Sequence, residues 1–334
     1  MTEHWENLNA LTAPLLTWYD LNGRTLPWRS VVTPYRTWVS EIMLQQTRVS
    51  AVIPYFERFM AELPDAAALA TVPEERLLKL WEGLGYYSRV RNMHKAAEEI
   101  MTEYGGEMPG SYEKLLGITG IGPYTAAAIA SIAFGEKVPA VDGNLLRVFA
   151  RLSAYPENIK TEKARKAAAE YYLRWMPEGD GHGFYTPGSF NQALMDLGAT
   201  ICLPNRAPLC ADCPLQDFCT AHARGEETAY PVMPEKKARR IEDRTVFLIH
   251  DAGKIVIGKR PPKGLLASLY EFPNTEGHLT EADALRYVAS LGIQALRIRP
   301  LPAAKHIFSH IEWHMIGYAI TVDELAPFDS DQLL

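Results

Sequence analysis

All four cysteines of this 334-residue chain fall in one stretch, ICLPNRAPLCADCPLQDFC, at Cys202, Cys210, Cys213 and Cys219, so none is left to pair elsewhere. Clustering of this kind ties a loop to a metal centre rather than stapling distant segments. A disulfide pair is the first alternative. The N-terminus, MTEHWENLNALTAPLL, has no basic start followed by an apolar run and a cleavage site, so an oxidising compartment is not expected. Zinc is the stronger competitor. Structural zinc usually takes two closely spaced knuckles, and only Cys210 and Cys213 are close, which favours a 4Fe-4S cluster and leaves zinc open.

At 47% hydrophobic and 22% charged residues, the chain can bury a substantial core and is long enough for two domains. No apolar run reaches bilayer-spanning length, so the expectation is a cytoplasmic monomer without membrane contact. A net charge of -6 argues against simple coating of DNA, which depends on Lys and Arg releasing counterions. Net charge is not a local field, however. Ser88-Arg89-Val90-Arg91 and Leu145-Leu146-Arg147-Val148 could form one basic face, the plain alternative being solvated helix surface.

From Pro34 to about residue 223, helical periodicity is broken by Gly and Pro. Helices are predicted over Tyr35 to Phe59, Glu74 to Leu84, Val90 to Tyr104, Tyr124 to Ala133, Asn144 to Leu152, Thr161 to Trp175 and Phe190 to Ile201. Residues 224–243 carry little apolar periodicity and read as a linker. Strands are then predicted over Thr245 to His250, Lys254 to Lys259 and His306 to Val322, with a helix over Glu281 to Leu291, giving a small α+β domain. Near the middle of the helical part, Leu116-Gly117-Ile118-Thr119-Gly120-Ile121-Gly122-Pro123-Tyr124 places Gly120 and Gly122 just before a helix. Glycines admit close backbone approach and helix-start amides favour an anion, so a DNA phosphate is a natural occupant; an ordinary tight turn is the alternative. Asp142 directly precedes another helix, where it is at least an N-cap and where its anionic form is favoured.

The hairpin, Asp142 and the four-cysteine loop, in this order, resemble the endonuclease III and MutY superfamily of helix-hairpin-helix DNA glycosylases, and the resemblance covers nearly the whole chain. Bifunctional members carry a Lys nucleophile after the second hairpin glycine. Here Tyr124 stands there, so no Schiff base forms by that route. Trp38-Val39-Ser40-Glu41-Ile42-Met43-Leu44-Gln45-Gln46-Thr47 resembles the adenine-site helix of the MutY branch, with Glu41 as its acid. Apolar neighbours would desolvate Glu41 and raise its pKa, as a general acid requires. Leu26-Pro27-Trp28-Arg29, Leu84-Gly85-Tyr86-Tyr87-Ser88-Arg89 and Phe190-Asn191-Gln192 are similar to further segments of that branch. The resemblance implies that Arg24, Trp28, Arg29, Leu44 and Gln192 border a flipped adenine, while Gln46 and Tyr86 enter the duplex. It also implies that Asp142 stabilises an oxocarbenium-like sugar and that Tyr124 and Asn144 support it.

In the second domain, residues 259–273 resemble the Nudix-like module of the MutY branch, without the Glu-rich helix of pyrophosphate-cleaving Nudix enzymes. His306-Ile307-Phe308-Ser309-His310 resembles the loop that checks the base opposite adenine, with Phe308 as wedge and Ser309 and His310 as hydrogen-bonding readers. The expected organisation is a glycosylase region over 1–223, with 1–30 and 190–223 as an iron-sulfur lobe, and an 8-oxoguanine recognition domain over 244–334. The implied partner is double-stranded DNA with adenine opposite 8-oxoguanine or guanine, in the nucleoid. Two departures stand out. Seven residues separate Cys202 from Cys210 where six are usual, and Ile118-Thr119 replaces a common Leu-Pro, which predicts a less rigid hairpin. Competing readings are a bifunctional pyrimidine glycosylase, a silent lesion sensor and a Nudix hydrolase with a helical appendage.

Overall fold

The structure, a computed structural model, describes residues 10–179, 185–234, 238–251, 253–261, 263–308 and 310–325. The chain divides into two compact units between Pro234 and Glu235. Helices of the first unit are α1 (Thr12–Asn22), α2 (Pro27–Ser30), α3 (Pro34–Leu44), α4 (Val49–Glu62), α5 (Ala66–Thr71), α6 (Glu74–Trp81), α7 (Ser88–Glu103), α8 (Tyr112–Leu116), α9 (Pro123–Phe134), α10 (Gly143–Leu152), α11 (Glu162–Leu173), α12 (Pro187–Thr200) and α13 (Thr220–Ala223). The single helix expected over Tyr35 to Phe59 is two. Thr33 caps α3 by accepting from Arg36 N at 3.1 Å, and the helix ends at Leu44 because Gln46 turns to a φ of 57°.

Helix α9 is apolar all round, with Ala126–Ala130 buried, and therefore sits in the interior. It starts with Gly122 as N-cap and Pro123 in the first turn, and stops at Gly135, whose φ of 72° disfavours a side chain. Around it are two apolar cores. One gathers Trp38, Phe56, Phe59 and Trp81 from α3, α4 and α6; the other gathers Leu15, Leu145, Tyr172 and Phe190 from α1, α10, α11 and α12. Leu26 and Trp28 join the first core, and residues 140–176 share the second core with Cys202 and Leu215. Helices α1, α10, α11 and α12 thus share one core with Cys202 and Leu215.

Helix α12 approaches its neighbours at two glycines. A Cβ on Gly188 would meet the Ile132 Cα at 2.7 Å and the Ser131 carbonyl at 2.8 Å; one on Gly198 would meet the Asn144 Cβ at 2.6 Å. The first part of the expected linker is held to this unit. Arg151 Nε donates to the carbonyls of Glu227 at 2.9 Å and Tyr230 at 3.1 Å, and Ile159 N to Val232 O at 3.1 Å.

The second unit contains β1 (Arg240–His250), β2 (Gly258–Lys259), β3 (Tyr270–Glu271), β4 (Asn274–Glu276), α14 (Glu281–Ser290), β5 (Ala295–Ile307) and β6 (Ile311–Val322). One sheet runs β4-β1-β6-β5, with β1 parallel to β6 and the other pairs antiparallel; β2 and β3 form a separate pair. Alternate β1 residues Phe247 and Ile249 point at Ala284 and Val288 of α14, and Phe247 stacks on Tyr287 with centroids 4.5 Å apart. Strand β1 starts inside the expected linker. The expected strand over Lys254 to Lys259 reduces to a bridge at Ile255 and the two residues of β2. The segment from His306 to Val322 is the end of β5, a turn, and β6; the mostly exposed β5 lacked the apolar alternation that would have announced its start at Ala295.

Gly188→Ala should lower stability by about 1–3 kcal/mol, because the new Cβ meets backbone, which cannot rotate aside. A urea denaturation midpoint equal to wild type would show that α9 and α12 separate freely.

Candidate active site

Asp142 comes to its position through a buried amide. Asn191 on α12 accepts from Ala140 N at 3.0 Å and donates to Val138 O at 3.0 Å and Ser131 Oγ at 2.8 Å, fixing the loop that enters α10. Asp142 then caps α10, its Oδ1 accepting from Leu145 N at 2.8 Å and its Oδ2 from Asn144 Nδ2 at 2.7 Å. Asn144 Oδ1 in turn accepts from Arg147 at 2.9 Å, and Arg147 donates to Gly198 O at 2.6 Å and Cys202 O at 2.8 Å. Burial raises the Asp142 pKa, while these bonds and Arg147 work to keep it ionised. Arg147 is therefore buried and occupied rather than part of a basic face. Arg89 is likewise engaged with backbone carbonyls, and Arg91 pairs with Glu74 at 2.7 Å, so the expected basic face does not form from these residues.

Glu41 on α3 is 6% exposed. Its carboxyl is pushed up to about 7, chiefly by burial and further by the charge of Asp142, against the Tyr124 hydrogen bond and Arg29. Tyr124, in the first turn of α9, donates its phenol to Glu41 Oε2. Burial, then Glu41 and Asp142, hold the phenol well above its ordinary value, so it stays protonated.

The two arginines expected at the site converge on an acid that sequence reasoning missed. Asp196 on α12 is fully buried and accepts from Arg24 N and Nε at 2.9 Å, from an Arg24 terminal nitrogen at 2.5 Å, and from Arg29 at 2.8 and 3.0 Å. Burial alone would raise Asp196; the two guanidiniums more than offset it and lower its pKa. The available signal was a lone carboxylate inside the apolar run Ala193-Leu194-Met195-Asp196-Leu197. The roles of Asn191 and Arg147 were missed because their partners are mostly backbone groups that only the fold brings near.

These groups border a cleft of about 600 Å³, ample for a nucleoside. Arg24, Trp28, Arg29, Glu41, Leu44, Gln46, Tyr124, Asp142, Asn144 and Gln192 all line it. Tyr86, Gly120 and Gly122 do not. Tyr86 is half-exposed on the turn before α7, at a φ of 49°. Gly120 has a φ of 77° with Asn92 where a Cβ would go. The hairpin is braced despite its missing proline, because Thr119 donates its amide (2.8 Å) and its hydroxyl to Glu99 on α7.

The four thiols surround one largely apolar pocket with Val148, Leu152, Leu197, Ile201 and Leu215. The long loop between Cys202 and Cys210 closes through Leu209 N to Ile201 O at 2.9 Å, with Asn205 at a φ of 58°. Arg151 donates to Cys202 Sγ at 3.2 Å. Burial pushes the Cys213 thiol up to about 12 and also raises Cys210 and Cys219, so a metal centre here displaces protons. One zinc at 2.3 Å from four sulfurs would draw them to about 3.8 Å of each other. Among the described residues, Cys210, His222 and Glu227 are the one set of three such side chains whose donor atoms lie within 4.8 Å of one another. Four thiols spread around an apolar pocket fit a larger cluster better than a single ion.

In the second unit, Phe308 N donates to Ile311 O at 2.8 Å, closing the turn between β5 and β6. The Phe308 ring packs edge-on against Trp313 (5.0 Å between centroids) and His306 (4.4 Å). His310 is exposed on the same turn, and Ser309 lies outside the described residues.

Residues 39–174 match the HhH-GPD superfamily of base excision DNA repair proteins, and residues 245–332 match the NUDIX domain. The adenine DNA glycosylase of Mus musculus is 35% identical over 95% of this chain and 72% of its own length. That of Buchnera aphidicola (subsp. Baizongia pistaciae) is 33% identical over 95% of this chain and 88% of its own. Among solved structures, a thermostable thymine-DNA glycosylase matches 64% of this chain and 95% of its own, with a TM-score of 0.57 and 28% identity. A helical unit that sets two acids in one cleft, followed by a NUDIX-type unit, and relatives at least 30% identical over 95% of this chain place it in the adenine DNA glycosylase family, enzymes that hydrolyse the N-glycosidic bond in base excision repair.

Proposed function

We propose that this glycosylase is monofunctional and removes adenine placed opposite 8-oxoguanine or guanine. The observation that carries the mechanism is the pairing, in one cleft, of a buried carboxyl raised to about 7, Glu41, with a capped, hydrogen-bonded carboxyl group, Asp142. An adenine inside a duplex has to leave the stack to reach such a cleft. Neutral departure needs a proton, which Glu41 delivers to N7 as the bond breaks. The sugar gains oxocarbenium character, and Asp142 stabilises it, as a carboxylate does in glycoside hydrolysis. Tyr124 holds Glu41 and, having no amine, leaves the strand intact. Arg24 and Arg29 are held rigid by Asp196 at the rim, with Trp28, Leu44 and Gln192 completing the walls.

A 4Fe-4S cluster would be held by Cys202, Cys210, Cys213 and Cys219; when bound it supplies a rigid core for the loop after α12 rather than a step of the hydrolysis. Phe308, Ser309 and His310 supply opposite-base discrimination, worth about 1–3 kcal/mol from one or two polar contacts. The partner is therefore duplex DNA carrying the mispair, and the protein works on the nucleoid.

Glu41→Gln should bind duplex at wild-type affinity while single-turnover adenine release falls about 10²–10⁴-fold; release within a few-fold of wild type rejects Glu41 as the acid. Because the acid must be protonated, release should decline as pH rises through about 7. Tyr124→Phe removes a bond that lowers the Glu41 pKa, so it should move that decline to higher pH; a shift to lower pH contradicts the assignment. Ser309→Ala and His310→Ala should reduce the preference for 8-oxoguanine over guanine, and an unchanged ratio of rates removes the loop from the recognition reading. Anaerobically purified protein should contain iron and inorganic sulfide. Stoichiometric zinc with neither would exclude the cluster.

A further inference from the structure

The residues expected to enter the duplex, Gln46 and Tyr86, sit on two turns far apart in sequence, and one side chain reaches both. Arg89, in the first turn of α7, donates through Nη1 to the carbonyls of Ile42 (2.7 Å), Met43 (3.1 Å) and Gln45 (2.7 Å), the free end of α3. Through Nη2 it donates to the carbonyls of Leu84 (3.2 Å) and Gly85 (3.3 Å) and approaches Thr47 Oγ1 at 3.5 Å. The guanidinium also lies over the rings of Trp81 (5.3 Å) and Tyr86 (5.6 Å), while Trp81 Nε1 donates to the Gly85 carbonyl at 3.0 Å.

Gln46 and Tyr86 are both non-glycine residues in the left-handed region, at φ of 57° and 49°. Such backbone persists only where its surroundings over-determine it, and the carbonyls beside each are the ones Arg89 collects. The same guanidinium borders a crevice of about 80 Å³ closed on another side by Thr119 and Gly120 of the hairpin. It therefore stands where the α3 end, the turn before α7 and the hairpin meet.

We propose that Arg89 is a positioning residue that sets the separation and orientation of Gln46 and Tyr86, and so governs extrusion of the target nucleotide rather than cleavage of its bond. This rests on the reading that those two residues enter the duplex. A planar fork can serve two sets of carbonyls at once, whereas Lys is a compact point charge that serves one set well. Without the clamp the turns drift relative to each other, and misplacement of about 1 Å is enough to slow an aligned reaction about 10²-fold. An adenine that has already lost its stacking partners needs less help to leave.

The test uses the full-length protein and two duplexes containing adenine opposite 8-oxoguanine, one with normal neighbours and one with tetrahydrofuran abasic spacers on both sides of the adenine. Arg89→Lys should slow single-turnover release about 10- to 100-fold in the normal duplex and no more than about 3-fold beside the spacers. Trp81→Phe, which keeps an aromatic ring in the core but removes one of the two donors to the Gly85 carbonyl, should show the same selectivity at smaller size. In a Glu41→Gln background, 2-aminopurine at the target position should brighten less on binding when Arg89 is Lys. Equal slowing on both duplexes, or no slowing on either, overturns the proposal. If Gln46→Ala and Tyr86→Ala also leave the normal duplex unaffected, the duplex-entry reading has failed. If they slow it while Arg89→Lys does not, the clamp alone has failed.

Discussion

The cap that Asp142 places on α10 is the interaction on which the remainder of the catalytic unit depends. A carboxylate withdrawn from water is costly unless donors replace the solvent, and here an amide of its own helix and the Asn144 side chain do so. Asn144 is in turn held by Arg147, whose other donors go to the carbonyls of Gly198 and Cys202. One helix thus carries the acid at its start and, a turn and two turns later, the arginines that bind the end of α12 and the cysteine loop. The glycine at 198 is the geometric condition for this, because any side chain there would occupy the place of Asn144.

Two buried acids, Glu41 in the cleft and Asp196 behind its arginines, are driven in opposite directions by their partners. Asp196 meets two guanidiniums in paired geometry and is held below its ordinary range, so it serves as a fixed anion that rigidifies the rim. Glu41 has a phenol for its nearest partner and Asp142 as a neighbouring charge, and burial dominates. A proton held near neutral pH is what an acid catalyst needs, and a fixed anion is what an arginine clamp needs. The same helical bundle supplies both by deciding which acid receives a cation.

The second unit uses different physics. Its sheet buries one face against α14 through Phe247 and Ile249, while the turn between β5 and β6 presents Phe308 braced by Trp313. Trp313 itself is covered by Arg244, 4.6 Å from its ring, and donates to Glu242 at 2.8 Å. A half-buried aromatic packed edge-on against a second ring that is itself anchored on its far side is held in one orientation.

The sequence by itself determined the helical class of the first unit, the α+β class of the second, the helix-starting positions of Asp142 and Gly122, and the metal-type grouping of the cysteines. Each follows from local signals: periodicity, caps, glycines and spacing. It also singled out Glu41 and Tyr124, through a family resemblance carried by short motifs. Tertiary structure decided what those motifs could not. Asp196 looks like one more helical acid until Arg24 and Arg29, more than 160 residues earlier, arrive beside it. Arg89 and Arg147 look like surface cations because a basic residue on a helix usually faces water. They turn inward because most of their partners are backbone carbonyls, which every residue carries and no side-chain pattern reveals. The break at Gln46 was hidden for a related reason, since its left-handed turn is stabilised by Arg89 from another helix rather than by a local glycine. Local composition sets which elements form; only their packing decides which polar groups lose water and what replaces it.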